Sequence, residues 1–243
     1  MRSLLVVSAL AALLLPCAAS GAGAGTLPLA LTYRSVTAGE IALTSEQFAA
    51  APTGYAVKVT TDGGEAGPQT QSFELDAAFL SNSWHRRNPR ERTDFTAVRS
   101  GSVVRLTGLF KGKRVDREYK IDTRPWKQCF PVDLQEWAVS PEPSLTFWAI
   151  NPVNLGMNLF CATKKETGTI VIGGKPVEAV HVRVSPVGPA SFVWHSDVWF
   201  RKADGRYLRY QGVNGLPGTP LTVVELLEER LENEPVAALP ATS

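Results

Sequence analysis

In Gly54-Tyr-Ala-Val-Lys-Val-Thr-Thr61, apolar side chains recur at every second residue. Tyr55, Val57 and Val59 fall on one face, and Lys58 and Thr60 on the other. A period of two is the signature of a half-buried strand, because successive side chains leave a pleated backbone on opposite sides. The same period returns further along. Val115, Arg117, Tyr119 and Ile121 alternate with Asp116, Glu118 and Lys120. Val180, Val182 and Val184 alternate with His181, Arg183 and Ser185.

Short glycine-containing turns join these runs. Thr37-Ala-Gly39 separates Leu29–Val36 from Glu40–Phe48, and Lys111-Gly112-Lys113 separates Val103–Phe110 from Arg114–Ile121. Gly173-Gly174 divides Thr169–Ile172 from Pro176–Val187, and Asp204-Gly205 divides Phe192–Arg201 from Arg206–Val213. Connections this short make hairpins, since a parallel crossover needs a dozen residues or more. The pattern predicts an antiparallel meander of roughly ten strands in two blocks, residues 29–121 and 168–230.

Between the blocks, Pro125, Pro131, Pro141, Pro143 and Pro152 interrupt any long element. Ser144–Ile150 and Val153–Phe160 are read as short helices, the first capped by Ser144. Both are apolar on nearly every side, which implies burial. The expected fold is mainly β: a curved antiparallel sheet or half-open barrel wrapped around a short helical insert at about residues 125–165. The domain runs from 26 to 234, and the tail 235–243 is expected to be disordered.

The N-terminus bears on compartment. Arg2 precedes an apolar run, Leu4 to Leu15, which Pro16 ends, and small residues follow to Gly25. This is the layout of a secretory signal peptide, and the run is shorter than the ~20 residues that span a bilayer. Residues 1–25 are therefore expected to be removed, with the product periplasmic or secreted. Cys17 raises a lipidated alternative, although Pro16 stands where such signals carry a small residue. Export conditions the reading of Cys129 and Cys161. An even count in an oxidising compartment favours a disulfide. Closing the ~33-residue loop that brackets the insert would stabilise the fold by roughly 3–4 kcal/mol.

Hydrophobic content of 44% and charge of 20% are those of an ordinary globular chain, and the net charge of +2 carries no message. Its distribution does. Trp84 to Lys127 holds 13 Lys and Arg against 5 Asp and Glu, whereas Glu225 to Glu234 holds five Glu and one Arg. The run Trp84-His-Arg-Arg-Asn-Pro-Arg-Glu-Arg92 is read as an exposed loop. Arg86, Arg87 and Arg90 offer peripheral contact with anionic lipid or a partner. Export argues against nucleic acid.

Three stretches carry a family resemblance: Leu31-Thr-Tyr-Arg-Ser-Val-Thr-Ala-Gly-Glu-Ile41; Phe147-Trp148 leading to Glu166-Thr-Gly-Thr169; and Gly173-Gly-Lys-Pro-Val-Glu-Ala-Val-His181 followed by Asp197-Val-Trp-Phe-Arg-Lys-Ala-Asp-Gly-Arg-Tyr-Leu208. In these the chain resembles exported bacterial proteins of unknown function that share a half-open barrel with the LolA-type lipoprotein carriers. The resemblance covers about a third of the mature chain and rests mostly on strand-and-turn grammar. It implies a curved sheet around internal helices, and in the carriers that cavity holds acyl chains. Fold analogy assigns no function by itself.

Motifs for catalysis are sparse. The histidines are His85, His181 and His195, with no zinc-type spacing, no nucleophile elbow and no phosphate loop. No metal or cofactor is expected. Pairing about the Pro186–Ser191 turn would set His181 near Asp197 and Arg183 near His195. That contact is either an acid–base unit or an ordinary cross-strand charge pair. The aromatic set Trp137, Phe147, Trp148, Phe160, Trp194 and Trp199 is the best binding material, as core or as the lining of an apolar pocket. The leading expectation is a non-enzymatic exported protein that holds a lipid or similar amphipathic ligand between sheet and insert, lined by Trp148, Met157 and Phe160. The alternatives are an envelope accessory or scaffolding protein acting through protein contacts, and a hydrolase using His181 and Asp197.

Overall fold

The computed structural model describes residues 29–63, 67–192, 194–213 and 219–231. The signal peptide, Cys17 and the tail from 235 lie outside the described residues. The first block forms β1 (Leu29–Thr37), β2 (Glu40–Ala51), β3 (Gly54–Gly63), β4 (Gln69–Asp76), β5 (Ser81–Asn88), β6 (Thr93–Ser100), β7 (Val103–Phe110) and β8 (Lys113–Lys120). Two short helical turns follow, α1 (Phe130–Asp133) and α2 (Gln135–Val139). The second block forms β9 (Ser144–Ile150), β10 (Met157–Ile172), β11 (Lys175–Pro186), β12 (Ser196–Arg201), β13 (Tyr207–Val213) and β14 (Leu221–Leu231).

The fourteen strands of the described residues make one antiparallel sheet in the order β8-β7-β6-β5-β4-β3-β2-β1-β14-β13-β12-β11-β10-β9. Every neighbour but one is a sequence neighbour. The exception is β1 with β14, which joins the two blocks through Leu29 opposite Leu231 and Thr37 opposite Thr222. The expected turns occur, with left-handed backbone at Ala38-Gly39, Lys111-Gly112 and Gly173-Gly174.

The sheet is curved and not closed. Its two ends approach, and side chains and a strap bridge them in place of a backbone ladder. Residues Pro125 to Lys127 run alongside β9. Trp148 N donates to Pro125 O at 2.8 Å, and Lys127 N to Trp148 O at 2.9 Å. From the other side, Ser81 N of β5 donates to Trp126 O at 3.2 Å. The β9–β10 connection receives Arg86 Nη1 on Pro152 O at 3.0 Å, Arg117 Nη1 on Asn154 O at 3.1 Å, and the Tyr119 hydroxyl on Leu155 O.

The concave face carries the core. Leu31, Tyr33, Val57, Leu75, Trp84, Phe95, Leu106, Phe147 and Phe200 are buried there. Burying each large apolar side chain stabilises the fold by roughly 1.5–3 kcal/mol. α1 and α2 lie against the same core, with Val132, Leu134 and Ala138 buried. Gly205, at φ +72°, seats α2: a Cβ there would come within 2.2 Å of Gln135 O.

Three expectations change. The helices expected at Ser144–Ile150 and Val153–Phe160 are instead β9 and, from Met157, the start of β10. Leu145 and Trp148 pack against the core, as Phe147 and Ala149 do, so both faces are covered and the alternation is masked. The helical insert is thereby confined to Phe130–Val139. The run Trp84–Arg92 is a strand as far as Asn88, where β5 ends, and a turn only from Pro89 to Arg92. Finally, Cys129 and Cys161 are free thiols. Cys161 Sγ lies 3.7 Å from Thr163 Oγ1 on one face of β10, while Phe160 and Ala162, its neighbours, pack into the core on the other. Cys129 is buried before α1 within that core. Strand alternation therefore sends the two sulfurs to opposite sides of the sheet.

Candidate functional site

Where α1 meets the end of β9 and β10, four aromatic rings form a chain. Phe130 on α1 lies 5.1 Å from Phe147 and 5.7 Å from Phe160, centroid to centroid. Phe160 lies 5.9 Å from Trp194 in the β11–β12 connection. All three contacts are edge-on, in the range where aromatic pairs attract beyond their buried area. Register explains the convergence: Phe160 is paired with Phe147 across β10 and β9, so the two rings share a face. Trp194 is anchored by its indole N–H, which donates to Val213 O at 3.0 Å. Phe147 is fully buried, whereas Phe130, Phe160 and Trp194 are half-buried.

The three expected lining residues do not all meet here. Trp148 pairs with Leu159, and Met157 with Ile150, so both project from the other face of the β9–β10 pair. Trp148 donates its Nε1 proton to Asp122 Oδ1 at 2.9 Å and lies under the Arg124 guanidinium, 5.2 Å from the ring. Phe160 alone of the three joins the aromatic chain. Phe130 escaped sequence reasoning, because Pro131 beside it reads only as a break.

Beneath the helical turns the concave face holds ionisable groups. Glu46 on β2 is 4% exposed, and its Oε2 has no hydrogen-bond partner among the described residues. Burial pushes its carboxyl up to about 7, against the opposing field of Arg206. Asp133 on α1 is likewise pushed by burial to about 7. It is held by Ser81 Oγ, which donates at 2.8 Å, and by Cys129 N at 2.9 Å. Lys127 donates to Phe79 O and to the carbonyl of Asp133, and burial lowers its ammonium. Burial also raises the Cys129 thiol well above its ordinary range. The signal for Glu46 was present in the sequence. It keeps phase with Phe48 on β2, so alternation turns a carboxylate inward.

On the convex face, His181 and Asp197 do meet, with Nε2 and Oδ1 2.8 Å apart. The register differs from expectation by two residues. Arg183, rather than His181, is directly opposite Asp197, and His181 is opposite Trp199. Residues 189–192 form a 3-10 turn, so β12 starts only at Ser196. His181 therefore reaches Asp197 diagonally and stacks on Trp199, 4.8 Å away and 8° from parallel. Arg183 Nε donates to the same Oδ1 at 3.0 Å, and His195 Nε2 lies 3.7 Å from Oδ2. Partial burial of Asp197 raises its pKa, but the hydrogen bonds from Arg183 and His181 outweigh it, and the net shift is downward.

The arginine cluster is divided by the pleat. Arg86 is buried, and besides Pro152 O it donates to Glu91 Oε2 at 3.3 Å, so it offers nothing to a membrane. Arg87 and Arg90 are exposed. Among the described residues no cluster of histidine, cysteine and carboxylate side chains is arranged to hold a metal, and no helix is long and apolar enough to cross a membrane.

No family model and no curated protein matches the chain. Solved structures do. A β-barrel-like protein of a domain of unknown function, DUF1849, from Brucella abortus superposes with a TM-score of 0.59 at 10% identity, over 86% of this chain and 99% of that one. The hypothetical lipoprotein YmcC from Escherichia coli aligns with a TM-score of 0.33 at 11% identity, over 83% of this chain and 88% of that one. The first likeness establishes a β-barrel-like fold also found in a bacterial protein of unknown function, and nothing of its activity.

Proposed function

We propose that this is an exported, non-enzymatic protein of the bacterial envelope that takes the apolar part of an amphipathic ligand, a lipid, against the aromatic chain between α1, β9, β10 and the β11–β12 connection. The observation that carries the reading is the half-burial of Phe130, Phe160 and Trp194 around the buried Phe147. The part of these three adjoining rings that remains in water costs free energy that an acyl chain laid over them recovers, at roughly 25 cal/mol per Å2 before ordering costs. Covering one ring face would leave the sheet unchanged, so binding needs no rearrangement of the core.

The test is titration of the mature protein with a lysophospholipid below its micellar concentration, followed by tryptophan fluorescence and native mass spectrometry. A 1:1 adduct with a blue-shifted emission is expected, lost in Phe160→Ser while circular dichroism stays unchanged. No adduct with the folded wild-type protein would reject the reading.

A second reading, an accessory protein acting through a sheet edge, draws on β8. That strand ends the sheet and is exposed along most of its length. Its alternating Arg114, Asp116, Arg117, Glu118 and Lys120 guard the edge against indiscriminate pairing and would select a partner by charge. The His181–Asp197 contact is read as sheet reinforcement, because Arg183 shares the carboxylate and Trp199 covers the imidazole.

A further inference from the structure

At the β5–β6 turn three arginines stand together without carboxylate partners among the described residues. Elsewhere on the sheet arginine and carboxylate meet at close range, as in Arg105–Asp116 at 2.9 Å, Arg183–Asp197 at 3.0 Å and Arg209–Glu225 at 2.8 Å. The side chains of Arg87, Arg90 and Arg92 make no hydrogen bond or ion pair among the described residues. Asp94 is directly opposite Arg87 on β6, yet its Oδ1 is held by His85 Nε2 at 2.9 Å.

Two adjoining clefts open here, of about 190 and 220 Å3, and Arg87 with Pro89 forms the wall between them. Arg92, Gly112 and the carboxylate-bearing Asp94 flank the first, and Pro68 and Thr70 flank the second. Glycine makes room for the neighbouring guanidinium. A Cβ on Gly112 would come within 3.0 Å of Arg92 Cζ, and one on Gly67 within 3.1 Å of Arg90 Cδ. Arg92 itself holds φ at +53°, a left-handed turn position where glycine would be unstrained. Backbone strain of this kind is found where a side chain has to be placed.

An unpaired guanidinium presents planar N–H donors that match the oxygens of a phosphate two at a time. The clefts are smaller than the ~300 Å3 from which pockets for drug-sized ligands begin, so they suit a compact anionic group and not a whole cofactor. We propose that Arg87, Arg90 and Arg92 form an oxyanion site for a phosphate group, borne by a phospholipid headgroup at a membrane surface or by a small soluble phosphate. Arg87 serves both clefts, Arg92 lines the first, and Arg90 packs on Gly67, next to Pro68 of the second. The site is independent of the aromatic chain, and either stands if the other fails.

The experiment compares the wild-type protein with Arg87→Gln/Arg92→Gln and with Arg105→Gln, which removes an equal kind of charge from a paired arginine. Each is titrated with inorganic phosphate by NMR, and sedimented with vesicles of phosphatidylglycerol or of phosphatidylcholine. Phosphate binding that falls about tenfold or more in the double variant and persists in Arg105→Gln supports a soluble phosphate. Selective sedimentation with phosphatidylglycerol, lost in the same way, supports the headgroup. If the double variant is unfolded by circular dichroism, Arg90→Gln is measured in its place. Wild-type protein that binds neither probe, or a loss equally large in Arg105→Gln, overturns the proposal.

Discussion

Glu46 and Asp197 are carboxylates on strands of one sheet, and they sit on opposite faces in opposite states. Glu46 is turned into the core, where burial dominates and its pKa climbs to about 7. Asp197 lies on the convex side, where donors from Arg183 and His181 outweigh partial burial and hold its pKa below the ordinary value. The difference lies in the supply of donors. A strand surface facing water gives a carboxylate cross-strand partners on either side. The concave surface is filled by apolar side chains, and the Arg206 that faces Glu46 also pairs with Glu229 at 3.3 Å. The two faces are therefore expected to respond to pH with opposite signs.

The largest effect should come from the apolar filling itself. Phe147→Ala removes a fully buried ring from the centre of the aromatic chain, and chemical denaturation should show a loss of about 3–5 kcal/mol at any pH. Next comes Glu46. Between its ordinary 4.5 and about 7, the native state keeps a proton that the unfolded chain has released. Stability should fall as pH rises through that window and level off above it. Glu46→Gln should reduce the slope by about half, the remainder belonging to Asp133, which burial raises to about 7 as well, and leave the variant more stable than the parent at pH 8 by about 3 kcal/mol. Thermal melts at pH 5 and pH 8 decide this, and an unchanged slope in the variant would break the contrast between the faces. The smallest effect belongs to Asp197. Its contribution is present above the unfolded carboxyl's pKa and is lost as pH falls through the lower, native one. Asp197→Asn should cost about 1 kcal/mol at pH 7, since the cluster is partly open to solvent. The same melts near pH 2 should show the variant and the parent converging.

Period-two alternation made most of the sheet legible, and the glycine turns gave the hairpins. It failed at Ser144–Phe160 because β9 is covered on both sides, by Phe130 on one and by Arg124 and the Trp126 strap on the other. A strand buried on both faces has no alternation to read and mimics a buried helix. Of the candidate site, Phe147, Phe160 and Trp194 were legible as aromatics, but their adjacency depends on the β9–β10 register and on α1. Cys129 and Cys161 misled for the opposite reason. Their even number speaks of compartment, whereas the face each sulfur takes depends on strand phase. His181 and Asp197 were found as a pair although the 3-10 turn shifts the register, because long side chains reach diagonally as well as straight across.

The seam between β1 and β14 has a consequence for the order of assembly. Every other pairing in the sheet joins strands adjacent in sequence, so each hairpin can form locally as its residues emerge. β1 emerges among the first strands and waits with one edge bare until Leu221–Leu231 has been made. The sheet then joins its two halves in a single long-range step, and loop closure of this kind slows folding. Throughout synthesis the exposed edge of β1 is the place where another chain's strand, or a protective partner, has its opportunity.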